Sequence, residues 1–93
     1  MFNILIEKRA EKFLKKLPIK SRRIIVEKIL ELKNNPFPGE NKEKIFCPKP
    51  PEVYRLHISR SYTVFYIINI DDHLVKIEKI ITIEGAHKDY SRR

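Results

Sequence analysis

The hydrophobic period switches from helical to alternating midway along this chain, and no other feature limits the fold as much. From Ala10 to Leu32 the apolar residues recur at helical spacing; after Val53 they alternate. In "EKRAEKFLKKLP", Ala10, Phe13, Leu14 and Leu17 stand at i, i+3, i+4 and i+7, one face of a helix that Pro18 ends. Ser21 is the expected N-cap of a second helix, "RRIIVEKILELKNN", with an apolar stripe of Ile25, Val26, Ile29, Leu30 and Leu32. "VYRLHIS", "YTVFYIIN" and "LVKIEKIITI" read as strands, and the short turns "SRS" and "DDH" make them antiparallel neighbours. "FNILIE" alternates as well and opens the chain with a short strand. The predicted order is therefore β-α-α-β-β-β. This is an α+β fold in which an N-terminal strand and a helical hairpin pack on an antiparallel sheet. The segment from Pro36 to Pro51 is rich in proline and reads as an irregular loop.

Length and composition narrow the function. The 93 residues make a single domain spanning 1–93. Cys47 is the one cysteine, so neither an internal disulfide nor a cysteine zinc cluster is available. The three histidines lack the paired spacing of zinc ligands, and there is no glycine-rich phosphate loop. No metal and no cofactor are expected. No apolar run approaches the roughly 20 residues of a membrane helix, and the N-terminus lacks the order of a signal peptide. A cytoplasmic protein is the expectation. Lys and Arg number 20 against 12 acidic residues, a net charge of +8. That field favours polyanionic partners, nucleic acid first and an acidic protein second.

One strand carries the most suggestive chemistry. In "VYRLHIS" the alternation places Tyr54, Leu56 and Ile58 on one side and Arg55 and His57 on the other. With the first set against the helices, a cation and an imidazole stand side by side on a rigid element. The chain closes with "GAHKDYSRR", which adds a second histidine, a tyrosine and more cations. His73, in the "DDH" turn, reads as structural. Tyr54 and Tyr66 read as core or rim aromatics, and Lys8, Lys12, Lys15 and Lys16 as a solvated helix face.

The order of elements, together with "YRLHI", "SRS", "YTVFY" and the terminal "GAHKDY", resembles the RelE/ParE toxin superfamily over essentially the whole chain. The resemblance implies the toxin of a type II toxin–antitoxin pair. RelE-like members cleave mRNA on the ribosome, ParE-like members poison DNA gyrase, and a small antitoxin silences either kind. It also implies a correspondence of residues. Arg55 and His57 match the two basic positions of the family's basic strand, Tyr62 the aromatic opening the next strand, and His87 and Tyr90 the terminal acid–base positions. Thr63 stands where RelE has an arginine, with Arg60 close by in the turn.

RNA cleavage through the 2′-hydroxyl needs a base, an acid and cations around the developing phosphorane charge. Imidazole is the side chain whose ordinary pKa lies near neutrality, so His57 or His87 can serve as acid or base. The candidate catalytic set is thus His87, His57, Arg55 and Tyr90, with Arg55 clamping phosphate. Candidate RNA contacts are Arg60, Lys88, Lys49 and Tyr62. The implied partners are an acidic RelB-like antitoxin, the ribosome and mRNA. The alternatives are a gyrase poison without nuclease chemistry and a basic RNA-binding domain that is no toxin.

Overall fold

A computed structural model describes residues 1–45 and 49–83. The chain runs β1 (Asn3–Ile6), α1 (Lys8–Lys16), α2 (Ile19–Glu31), β2 (Lys42–Ile45), β3 (Val53–Ile58), β4 (Tyr62–Asn69) and β5 (Leu74–Thr82). The five strands form one sheet in the order β1-β5-β4-β3-β2. The last three strands make the expected antiparallel meander. Two features go beyond the predicted pattern. β1 pairs with β5 in parallel, so the sheet is mixed. The proline-rich segment, read as irregular, contains β2, which pairs antiparallel with the edge of β3.

The helices cover one sheet face. Ala10 and Leu14 of α1 and Ile25 and Ile29 of α2, with Leu32 just beyond it, meet Leu56, Ile58, Val64, Tyr66, Val75, Ile77 and Ile80 from the strands. Leu30, counted in the α2 stripe from sequence, is 44% exposed and lies outside it. The core-facing residues of β5 also break strict alternation, since Ile77 and Ile80 are three apart. The register with β4 pairs Phe65 with Lys79 and Tyr66 with Ile77, passing over Glu78. This bulge returns Ile80 to the core face.

The turn between helices is shorter than predicted. α2 begins at Ile19, directly after Pro18, so Ser21 lies in its first turn and caps nothing. A helix start at proline is sterically natural, because its missing N–H is one of the unpaired donors there. The end of α1 is closed by Arg22. Its Nε donates to the Leu14 carbonyl at 2.9 Å, and its Nη2 to those of Lys15 and Leu17 at 3.0 and 3.1 Å. A guanidinium at a helix C-terminus satisfies orphan carbonyls and complements the dipole.

Candidate functional site

The site begins with how β2 is delivered. Asn35 Oδ1 accepts from the Phe37 backbone N–H at 3.1 Å, and Lys42 Nζ donates to the Asn35 carbonyl at 2.7 Å. Gly39 and Lys42 exchange backbone hydrogen bonds, and Asn41 takes a left-handed φ of 61°, a conformation asparagine tolerates. From within the core the Tyr66 hydroxyl donates to the Pro36 carbonyl at 2.7 Å. These contacts hold the segment and aim Lys42–Ile45 along β3.

β2 places Glu43 directly opposite Arg55. Leu56 and Ile58 are buried against the helices, so the intervening side chains of β3 project from the opposite face. There Arg55 donates to the Glu43 carboxylate, and His57 Nε2 lies 3.8 Å from the same oxygen. The three side chains keep 42%, 37% and 48% of their surface for Arg55, His57 and Glu43, enough for all to be reached from solvent. Thr63 sits across from His57 on β4, with Ile81 on its other flank, and is buried. Next along, Arg55, Phe65 and Lys79 form a parallel row.

The sequence candidates separate in space. Arg55 and His57 are together, as the alternation predicts. Tyr62 pairs with Ile58, and its ring meets Phe13 of α1 edge-on, 6.3 Å between centroids at 79°. It therefore packs on the helical side of the sheet. Arg60 is exposed in the turn after β3 and, with Ser61, Tyr62 and Thr82, lines a shallow cleft of about 200 Å³. Lys49 is exposed in the segment leading into β3, at the strand's other end. A larger cleft of about 460 Å³ lies between α2 and the β2–β3 edge, with Lys28, Glu31, Asn35, Lys42, His57 and Ser59 among the residues that line it. His87, Lys88 and Tyr90 lie outside the described residues.

Glu43 is the site residue that sequence reasoning passed over. Its signal was faint: "KEKI" is four residues long, mostly charged and flanked by prolines. Those traits also describe an edge strand, which resists aggregation by being short and charged. Tyr54 and Tyr66, read from sequence as core or rim aromatics, pack in and against the core. Tyr54 stacks on Tyr66 at 5.6 Å, and Tyr66 has no exposed surface. Burial, helped by neighbouring Tyr54, pushes the Tyr66 hydroxyl far above the ordinary tyrosine range. His73 stacks on Phe2 at 4.3 Å with the ring planes nearly parallel, next to the start of β1.

A two-helix hairpin on a mixed sheet, with a basic strand facing away from it, is a fold with known relatives. Residues 4–90 match the family described as the ParE toxin of type II toxin–antitoxin systems, and the chain belongs to that family. A protein of Methanocaldococcus jannaschii named "Putative toxin RelE1" is 39% identical over 88 residues, covering 95% of this chain and 97% of that one. The RelE fold of the archaeal RelE–RelB complex from Pyrococcus horikoshii superposes with a TM-score of 0.74 at 28% identity, over 87% of this chain and 93% of that one. The isolated Escherichia coli RelE toxin gives a TM-score of 0.71 at 20% identity, over 97% and 99% of the two chains. At that identity the last likeness concerns the fold alone. The chain is a RelE-like toxin of a toxin–antitoxin system.

Proposed function

We propose that this toxin is a ribosome-dependent mRNA endoribonuclease that works without a metal and is held inactive by an acidic RelB-like antitoxin. The observation that carries the reading is the pairing of Arg55 and His57 on one accessible face of β3. A guanidinium clamps the scissile phosphate, and a neighbouring imidazole moves a proton at the 2′-hydroxyl or the leaving 5′-oxygen. His87 supplies the complementary acid or base, and Tyr90 stacks on a base or donates a proton. Arg60, Lys49 and Lys88 hold the RNA backbone through charge. The net charge of +8 supports both polyanionic RNA and an acidic antitoxin as partners. The RelB of the Pyrococcus complex is the precedent for that antitoxin. A cytoplasmic address follows from those partners; among the described residues no helix is long and apolar enough to cross a membrane.

The second reading, a gyrase poison, draws on the family's description as ParE toxin and on Thr63, a buried neutral residue where RelE has an arginine. One experiment separates the two. On programmed ribosomes, wild type cuts mRNA and His57→Ala cuts it on the order of 100-fold more slowly. Intact mRNA accompanied by gyrase-linked DNA breaks would establish the poison instead.

A further inference from the structure

Arg55 meets a carboxylate before it meets any RNA. Glu43 accepts from the Arg55 guanidinium while the same oxygen lies 3.8 Å from His57 Nε2. To a guanidinium, a carboxylate and a phosphodiester look alike, each presenting two acceptor oxygens and no donor. We infer that Glu43 is a built-in competitor for the RNA phosphate: its carboxylate occupies the place on Arg55 and His57 that a phosphate oxygen takes. RNA enters as that carboxylate rotates away. The inference rests on the endoribonuclease reading of this face.

Three observations support it. Glu43 is anchored by its backbone, in register with Arg55, so only its side chain has to move. That side chain is 48% exposed and has solvent to turn into. Two other cations of the sheet have carboxylates of their own, Lys44 with Glu52 and Lys76 with Glu7; among the described residues Arg55 has Glu43 and no second carboxylate. With His57 neutral, Glu43 cancels the charge of Arg55, and its departure leaves a positive strand. Half-exposed ion pairs of this kind are weak, so exchanging a carboxylate for a phosphate is close to balanced. The residue thus tunes affinity and leaves RNA able to bind.

The test is direct binding of a non-cleavable 2′-O-methyl oligoribonucleotide, followed by fluorescence anisotropy. Glu43→Gln keeps the side chain's shape and removes its charge; Kd should fall roughly 3- to 10-fold. Glu52→Gln removes the same charge from the Lys44 pair and should change Kd by less than about 2-fold. Arg55→Ala should weaken binding. Equal gains from Glu43→Gln and Glu52→Gln would reduce the effect to net charge and overturn the inference. So would an unchanged or higher Kd for Glu43→Gln alongside a weakened Arg55→Ala, which would leave the RNA site standing. If Arg55→Ala also binds normally, the endoribonuclease reading of this face falls as well.

Discussion

The Tyr66 hydroxyl donates to the Pro36 carbonyl at 2.7 Å, joining residues 30 apart in the chain from a side chain with no exposed surface. This one bond ties the centre of the sheet to the segment that delivers β2. Tyr66→Phe leaves the Pro36 carbonyl without that donor and should cost about 1–2 kcal/mol, read as a lower urea midpoint with an unchanged slope. An unaltered midpoint would show the bond to be dispensable.

The same residue gives the fold a pH dependence. Burial raises the folded-state pKa of Tyr66 above its unfolded value, so the folded chain favours the protonated phenol. The stability associated with it is complete below about pH 10 and is lost as pH climbs toward the folded value. Wild type should therefore lose stability steeply above about pH 10, and Tyr66→Phe should lose less over the same range. Parallel stability curves for the two proteins would contradict this.

Arg22 should matter more than its position in the first turn of α2 suggests. Removing it takes the guanidinium from the carbonyls of Leu14, Lys15 and Leu17, of which Leu14 keeps the Leu17 backbone N–H. Arg22→Ala should cost about 1–2 kcal/mol, lowering Tm by roughly 5–10 °C in a domain of this size. Arg22→Lys should recover only part of this, because an ammonium lacks the planar fork that reaches several acceptors together. Full recovery by lysine would show that charge alone closes α1.

Deletions along β5 should discriminate by face. Losing Glu78 removes the residue that the β4–β5 register passes over, so Ile77 and Ile80 stay toward the helices. Losing Lys76 turns Ile77 outward and brings Glu78 into the core. The Glu78 deletion should fold, with a native-like circular dichroism spectrum and a cooperative melt. The Lys76 deletion should not. Folding of both would mean that the bulge relocates freely.

These cases show what the sequence made legible. The helical hairpin and the β3–β4–β5 meander follow from long apolar patterns, each burying a face whose period is unambiguous. The sidedness of β3 came from alternation alone, which is why Arg55 and His57 fell together. β2 escaped notice because Lys42–Ile45 buries little and draws its stability from partner strand and loop contacts. Glu43 was missed with it, since a carboxylate in a loop has no face until the loop becomes a strand. The parallel pairing of β1 has no local signature; Leu5 is 49% exposed and any sheet edge would suit so short a strand. The bulge was hidden because Ile80 and Ile81 offer an apolar residue to either face.

The place of β1 beside β5 has a consequence for the order in which the molecule is made. Asn3–Ile6 is made before the helices and the other strands of this fold, yet its hydrogen-bonding partners are Leu74–Ile77 of β5, the last of its strands. Until those residues exist, the opening strand has no ladder to join, and the sheet under the helical hairpin lacks β5, the strand that links β1 to β4. Pairing across such a separation is slow to form and closes late. A nascent chain stopped short of β5 carries Arg55, His57 and Glu43 on a sheet missing two of its five strands. In such a fragment β1 has no strand to pair with, and the face that carries Arg55, His57 and Glu43 rests on β2, β3 and β4 alone.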